Sequence, residues 1–182
     1  MEAILEETIT FDADKDYETY HGIPEEKAMA GALHGGVGAR LIVLLGQHAL
    51  IHQLGTVYGP DTTFKVEGQD RLPDVSFISV DRLPAEGEPI TAWDIVPDLA
   101  VEIVSPNDIY QKLMNKVFDY LDAGVQEVWL VAPESKTVTM YYSFTEVKIL
   151  TERDVLTCEK LLPSFSCSVS DLFKLPKRTI TT

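Results

Sequence analysis

The sequence predicts an α/β fold in which a mixed β-sheet is flanked by helices, and its central stretch supports this prediction. The apolar, β-branched run 99–104 is typical of a strand that is buried on both faces of a sheet. Ser105-Pro106 ends that strand, and an amphipathic segment then continues to Gly124, a residue type that often stops a helix. A second apolar run, 128–132, predicts another strand, so the stretch forms a β-α-β unit with parallel strands.

The other elements are predicted in chain order from hydropathy and turn residues. Before the central unit we expect an acidic arm at 1–16, a short element at 17–22, a helix start or loop at 24–30, a core helix at 34–54 that is apolar nearly all round, neighbouring strands at 55–66 and 71–80 joined by a turn at 67–70, and a loop at 81–96. After it we expect a hairpin of 137–144 and 147–150, an irregular tail from 155, and a helical stub at 170–175.

Length and composition favour one domain. A chain of 182 residues, 45% of them hydrophobic, suits a single domain over 1–182, with an arm at 1–16 and a tail at 174–182. No uninterrupted apolar run reaches about 18 residues, so no transmembrane helix is predicted. The N-terminus is acidic where a signal peptide is basic, so we expect a cytoplasmic protein. Cys158 and Cys167 lack paired spacing and are expected to be free thiols.

The charge balance limits the kinds of partner that the chain can bind. With 29 acidic and 15 basic residues, the net charge of −14 counts against a protein that is held on nucleic acid by phosphate contacts alone. It does not exclude nucleic-acid binding, because residues 1–20 hold seven acids against one lysine. Carboxylates are also what a metal site requires.

Two charged residues interrupt apolar positions of the central unit. Glu102 stands within the first apolar run, and Lys116 falls on the apolar face of the helix, seven residues after Ile109. Burying an ammonium group alone is costly, so Lys116 either extends to water or meets a negative partner, for which Glu102 is available. Lys112, one turn earlier and nearer the edge of that face, is the weaker candidate.

Asp74 is a third charged residue at an interior position, although capping a turn would also explain it. Two carboxylates and a lysine are the groups that Mg²⁺-dependent hydrolysis of a phosphodiester requires. Asp98 is less suitable, since it lies about 13 Å from Glu102 along one strand and cannot share one ion with it. A structural ion pair between Glu102 and Lys116 is the alternative interpretation, and it predicts no metal binding.

His48 and His52 have the spacing of a two-histidine metal pair on a helix. No third ligand lies near them in the sequence. We therefore expect these rings to serve in packing or to face solvent.

The ordered set of short motifs resembles the Uma-two family, small single-domain proteins classed as restriction endonucleases within the PD-(D/E)XK nuclease superfamily. The matching motifs are Pro73-Asp74, PDLAVEIVSP at 97–106, K-x-x-x-Y-L-x-A-G-V from Lys116 to Val125, EVWLVAPE at 127–134, Tyr17-Glu18 with Gly22, His34, and Tyr58-Gly59-Pro60-Asp61. The resemblance covers roughly residues 17–173, and the chain departs from the family pattern at 23–33.

This resemblance implies a restriction-endonuclease-like fold with Asp74 and Glu102 as ligands of Mg²⁺, with Mn²⁺ as a substitute. The superfamily's usual lysine, two residues after the glutamate, is replaced here by Val104. Family members are similar in carrying that lysine on the following helix, which selects Lys116, as the helical phase does. Glu18 would be an accessory carboxylate of the catalytic set, and His34 a site-lining residue.

The leading hypothesis is therefore a Mg²⁺-dependent endonuclease that hydrolyses DNA phosphodiester bonds. One alternative is a non-catalytic or partner-dependent dimeric scaffold or binding protein with the same fold. Another is a phosphodiesterase that acts on small nucleotides, which suits the isoelectric point of about 4.5. A homodimer would suit a duplex with two strands to cut, by analogy alone.

Overall fold

The computed structural model describes residues 17–20, 23–26 and 31–175. In chain order its elements are β1 (Tyr17–Tyr20), β2 (Ile23–Glu26), α1 (Ala32–His52), β3 (Gly55–Tyr58), β4 (Phe64–Val66), β5 (Gln69–Arg71), β6 (Val75–Ser79), a 3-10 turn (Val80–Arg82), β7 (Leu99–Ile103), α2 (Tyr110–Asp122), β8 (Glu127–Ala132), β9 (Thr137–Tyr141), β10 (Val147–Thr151), β11 (Val155–Thr157), β12 (Ser166–Ser168) and α3 (Val169–Phe173). The predicted arm at 1–16, and residues 176–182 of the predicted tail, lie outside the described residues.

A six-stranded mixed sheet, in the order β10-β9-β8-β7-β6-β3, forms the centre of the described part of the chain. Strands β7 and β8 are parallel and are connected through α2, whereas the other neighbouring strands are antiparallel. Helix α2 ends at Asp122, and Gly124 follows it with φ of 92°, a conformation that favours glycine. The predicted α/β class and its parallel β-α-β unit are confirmed.

The central sheet is covered on both faces, which explains the apolar run of β7. Leu99, Val101 and Ile103 face one side, where they pack with buried residues of α1. Ala100 faces the other side, where buried residues of α2 cover it. We call these faces the α1 side and the α2 side of the sheet. The prediction of a strand buried on both faces is confirmed.

Helix α1 packs on the sheet with one face only. Its buried residues are Val37, Gly38, Leu41, Leu45 and Ala49. Val43, Leu50 and Ile51 are exposed, although they are apolar. The predicted helix is confirmed, but its expected place within the core is wrong, because the described residues give it a packing surface along a single face.

His48 and His52, near the end of α1, make packing contacts. Nε2 of His48 lies 2.9 Å from the carbonyl oxygen of Pro163. The His48 ring also packs against His52 and Phe165, with centroid distances of 4.5 Å and 5.5 Å. These contacts agree with the packing role expected for the pair.

Three local predictions are wrong. Residues 23–26 form strand β2 rather than a helix start or loop, because they pair antiparallel with β1. The segments 55–66 and 71–80 are neighbours as predicted, since β3 pairs with β6, but no turn at 67–70 joins them: Glu67 and Gly68 connect β4 to β5 in a separate hairpin. The tail from 155 is not irregular, since β11 and β12 form a hairpin. In each case pairing with a distant or adjacent segment decides the conformation more than local propensity does.

Two further buried acids, Asp98 and Glu127, accept hydrogen bonds from neighbouring side chains or backbone groups. The Asp98 carboxylate accepts from the backbone and hydroxyl of Ser79, from Arg82 and from Gln126, at 2.6–2.8 Å. Glu127 accepts from the Trp129 indole at 3.0 Å and the Cys158 thiol at 3.6 Å. Asp98 thus ties the start of β7 to neighbouring segments.

Cys158 and Cys167 are free thiols, as expected. Among the helices in the described ranges, none is long and apolar enough to span a membrane.

We predict that Asp98→Asn lowers the free energy of unfolding by about 2–4 kcal/mol at pH 7, because a buried charged acceptor is lost. Burial alone would raise the pKa of Asp98, but the donors from Ser79, Arg82 and Gln126 hold it below its ordinary value of 3.8. The stability that the ionised group contributes is therefore present above that value and disappears as the pH falls through the lowered pKa. Urea unfolding of both proteins from pH 7 to pH 3 measures this.

The matched control is Asp94→Asn, at an exposed position of the same loop region. We expect it to change the free energy of unfolding by less than about 0.5 kcal/mol. Equal effects of the two substitutions would contradict the structural role of Asp98.

Candidate active site

Asp74 and Glu102 lie next to each other at one end of the sheet, where β6 begins and β7 ends. Val75 pairs with Val101, so continuing this register by one residue places Asp74 opposite Glu102. The Ile103 N–H donates to Oδ2 of Asp74 at 2.8 Å, which holds the aspartate against β7. Each acid is only 5% exposed. The structure therefore brings together the two carboxylates that the sequence analysis proposed as metal ligands.

Glu102 projects from β7 toward α2, where two residues of that helix reach its carboxylate. The Tyr120 hydroxyl donates to Oε1 at 2.9 Å, and Nζ of Lys116 lies 3.3 Å from Oε2. The Tyr120 side chain is fully buried. Burial, followed by the charges of Glu102 and Glu18, raises the pKa of Tyr120 well above its ordinary value, so the hydroxyl remains a donor at neutral pH. Both oxygens of Glu102 are thus held in place.

Lys116 is the link between two parts of the site. Its ammonium group lies 2.5 Å from Oε2 of Glu18 in addition to its contact with Glu102. Burial by itself lowers the pKa of Lys116, but the charges of Glu102, Glu18 and Asp74 outweigh burial and raise it. Lys116 is therefore protonated at neutral pH and acts as a fixed positive charge.

The β1-β2 hairpin reaches the site through polar contacts. Oε1 of Glu18 accepts from the Leu72 N–H at 2.9 Å, while Oε2 contacts Lys116. The Arg71 guanidinium donates to the Thr19 carbonyl, and Lys112 pairs with Glu25 at 2.5 Å. These contacts place Glu18 beside the two strand carboxylates. Lys112, the weaker candidate for the site lysine, instead binds the outer strand of the hairpin.

His34 contacts the other acid. Its Nε2 lies 3.0 Å from Oδ2 of Asp74, and the imidazole comes from the first turn of α1. The site therefore draws side chains from both the α1 side and the α2 side of the sheet. The resemblance named His34 as a site-lining residue, and the structure gives it a specific partner.

The charge of the site fits a divalent cation. Among the described side chains, Glu18, Asp74 and Glu102 face one ammonium group and one imidazole, which leaves net negative charge whether or not His34 is protonated. Within residues 17–20, 23–26 and 31–175, no group of three or more His, Cys, Asp or Glu side chains is placed to hold a metal ion. Mg²⁺ commonly binds through one or two carboxylates together with water and phosphate oxygens, so Asp74 and Glu102 suit it in kind and number.

Two residues of this site were not proposed from the sequence. Tyr120 appeared there only as the tyrosine of the K-x-x-x-Y motif, yet its hydroxyl holds Glu102. Arg71 is 2% exposed and pairs with Asp119 of α2. The signal for Tyr120 was its spacing of four residues from Lys116, one helical turn on the same face. Arg71 gave no comparable signal, since its partners are distant in sequence.

Comparisons with known proteins agree with this architecture. The sequence model of the Uma2 family, described as "Putative restriction endonuclease", matches residues 3–170. A crystal structure from Anabaena variabilis ATCC 29413, described as "a putative nuclease belonging to DUF820", is similar with a TM-score of 0.81 and 20% identity. The alignment covers 90% of this chain and 93% of that chain, and at this identity it shows the fold alone. No curated protein matches this chain.

We predict that Lys116→Met lowers the free energy of unfolding by about 3 kcal/mol at pH 7, because it leaves Glu102 and Glu18 without their shared cation. The pKa of Lys116 is raised above its ordinary 10.5, so its contribution is complete at lower pH and disappears only as the pH rises through the raised value. Chemical denaturation between pH 7 and pH 10 should therefore show a constant difference between wild type and variant.

Lys112→Met is the matched control, one turn away on the same helix. Lys112 and Glu25 are 39% and 43% exposed, so their pair should contribute less than about 1 kcal/mol. If the two lysine variants lose equal stability, the Lys116 contacts do not form a buried cluster.

Proposed function

The chain belongs to the Uma2 family, and on that premise we propose that it is a Mg²⁺-dependent endonuclease that hydrolyses DNA phosphodiester bonds. The observation that supports this most directly is the arrangement of Asp74, Glu102 and Lys116. One nearly buried carboxylate immediately precedes β6 and the other lies on the neighbouring strand β7, with a protonated lysine 3.3 Å from the second. We further propose that residues 1–182 act as one nuclease-like domain.

Asp74 and Glu102 would hold the ion, and other residues of the chain fix their positions. The Ile103 N–H orients Asp74, and the Tyr120 hydroxyl orients Glu102. Such outer-shell hydrogen bonds preserve ligand geometry and affinity. When bound, the divalent ion supplies the positive charge that allows an anionic phosphate and a nucleophilic hydroxide to meet.

Lys116 would stabilise the negative charge that develops on the phosphate during attack. The short contact with Glu18 gives this ammonium a fixed position before substrate binds. Glu18 is thus proposed as the accessory carboxylate, and His34 as the residue that orients Asp74.

The strongest rival proposal is a structural cluster without catalysis, as in a partner-dependent binding protein of the same fold. The Lys116 pairs with Glu102 and Glu18 favour it, since they partly neutralise the acids without any metal. A small-nucleotide phosphodiesterase is favoured by the net charge of −14. Both alternatives are compatible with the observed geometry, so measurements of metal binding and of plasmid nicking are needed to distinguish them.

We predict that Mg²⁺ or Mn²⁺ binds wild type and that Asp74→Asn and Glu102→Gln each weaken binding at least about 10-fold, because each removes one charged ligand. Lys116→Met should retain metal binding, since it removes no ligand, but should lose nicking of supercoiled plasmid by about 100-fold or more. Calorimetry and the nicking assay on the same samples measure both quantities.

Circular dichroism first establishes that each variant is folded, and Lys174→Met, at an exposed lysine that makes none of the contacts of the site, serves as the control that should keep both activities. Metal binding without nicking, together with hydrolysis of bis(p-nitrophenyl) phosphate, would support the small-nucleotide alternative. No metal binding in folded wild type would leave the structural cluster as the explanation.

We predict that DNA binding by wild type in Ca²⁺ weakens with salt, but with a shallow slope of about −2 to −4 in log K against log salt concentration. Few lysines adjoin the site, and each phosphate neutralised contributes about −0.9 to the slope. Fluorescence anisotropy with a labelled duplex from about 50 to 200 mM salt measures it. Binding that does not change with salt would argue against contact with the phosphate backbone.

A further inference from the structure

Arg71 is a buried arginine that the proposed mechanism does not use. It ends strand β5, three residues before Asp74, and is 2% exposed. Its guanidinium donates to the Thr19 carbonyl of the β1-β2 hairpin, to the Asp119 carboxylate of α2, and to Gln69 at 3.4 Å. Arg71 therefore connects the hairpin, β5 and α2.

The guanidinium of Arg71 is incompletely paired. Its Nε is buried and has no hydrogen-bond partner in the described part of the chain. An unpaired buried donor lowers the stability of a fold, and natural proteins keep such departures mainly at functional sites. The position of Arg71 thus suits a role in the candidate active site more than a role in stability alone.

The acceptor of Arg71 in the hairpin adjoins Glu18. Thr19 follows Glu18 in β1. The Glu18 carboxylate accepts at 2.9 Å from the N–H of Leu72, which follows Arg71 in the chain. Two consecutive residues of one segment therefore hold two consecutive residues of β1. This double contact fixes both the backbone at Glu18 and the direction of its side chain.

Helix α2 holds the hairpin at three points with helical spacing, residues 112, 116 and 119. Lys112 and Lys116 contact carboxylates of the hairpin directly, each at 2.5 Å. Asp119 contacts the Arg71 guanidinium, which in turn donates to the hairpin. The pair of Lys116 with Glu18 thus lies between two flanking contacts, one of which depends on Arg71.

Arg71 also lies within electrostatic reach of Tyr120, the residue that holds Glu102. Burial is the largest cause of the raised pKa of Tyr120, and the positive charge of Arg71 acts in the opposite direction. Such an effect on a buried group requires a charge nearby. The guanidinium therefore lies close to the donor that orients Glu102.

We propose that Arg71 is a positioning residue, which sets Glu18 against Lys116 and is itself fixed by Asp119. The planar fork of an arginine suits this role, because it donates to a carbonyl and a carboxylate at the same time in fixed directions. The effect on catalysis rests on the proposed nuclease function, whereas the effect on the Lys116 ammonium does not.

The first test measures, by NMR on the isotope-labelled full chain, how fast the Lys116 ammonium protons exchange with water. Arg71→Met should speed this exchange by about 10-fold, because Glu18 is then no longer held against the ammonium. Glu18→Gln should have at least as large an effect. Adding Arg71→Met to Glu18→Gln should change the rate by less than about twofold, since both remove the same interaction.

Arg82→Met is the matched control. Arg82 also donates to one carboxylate and one carbonyl, those of Asp98 and Val96, each at 2.8 Å. These contacts lie at the start of β7, whereas Glu102 lies near its end. Arg82→Met should leave the exchange rate of the Lys116 ammonium within about twofold of wild type.

Asp119→Asn provides a second and milder variant, since it keeps Arg71 and removes the charge that fixes it. Asp119 is 28% exposed, so the fold should tolerate the change. It should speed the exchange of the Lys116 ammonium by about threefold, in the same direction as Arg71→Met. Circular dichroism checks that each variant is folded.

Plasmid nicking provides the catalytic readout. Arg71→Met should lower the nicking rate about 10-fold and leave the Kd for Mg²⁺ within about twofold, because the two proposed ligands keep their own supports. Its combination with Glu18→Gln should nick about as slowly as Glu18→Gln alone. A purely structural role of Arg71 would instead multiply the two losses.

The outcomes separate this proposal from the nuclease proposal. Unchanged ammonium exchange in folded Arg71→Met and Asp119→Asn would overturn the positioning role, as would an equal acceleration by Arg82→Met or losses of nicking that multiply. Wild type that nicks no substrate but shows the expected exchange rates would refute the nuclease proposal and support the positioning of Lys116 by Arg71.

Discussion

The contact on which the site depends is the ion cluster of Lys116 with Glu102 and Glu18. It joins three elements that are far apart in sequence: the hairpin strand β1, the buried strand β7 and helix α2. An isolated carboxylate at the position of Glu102 would cost several kcal/mol to bury, so its place in an otherwise apolar strand requires such partners. The cluster also fixes the distance between α2 and the sheet at the end where Asp74 lies.

The two halves of the site differ in how they are held. Glu102 stands on β7 and Asp74 directly before β6, two neighbouring strands packed on both faces by apolar side chains, and Tyr120 adds a buried donor. Glu18 stands on a hairpin that makes hydrogen bonds and ion pairs with the body of the protein through the Leu72 N–H, Arg71, Lys112 and Lys116. Exposed polar contacts contribute less than buried apolar packing. The strand carboxylates therefore form the rigid part of the site, and the hairpin carboxylate depends more on charge.

The acidity of the chain affects the binding of a cation and of a polyanion at the site in opposite ways. Near the site, excess carboxylate favours a cation but repels a polyanion, so any phosphate must be drawn by a small number of positive groups. The net charge of the chain therefore does not decide by itself which ion binds, because interactions at contact range depend on which residues meet.

Local sequence determined the elements in which one periodicity dominates. The apolar run of β7, the helical phase of α2 with Lys116 toward Glu102, the stop at Gly124 and the hairpin of β9 with β10 followed from patterns within a few residues. The resemblance to a family added Glu18 and His34, which no local pattern distinguishes from surface residues. Tertiary structure alone decided that β2 is a strand, that β4 and β5 leave the main sheet, that Tyr120 rather than a more distant group holds Glu102, and that His34 meets Asp74. These outcomes depend on contacts between segments tens of residues apart, whose free energies of pairing exceed the small local propensities that a single sequence reveals.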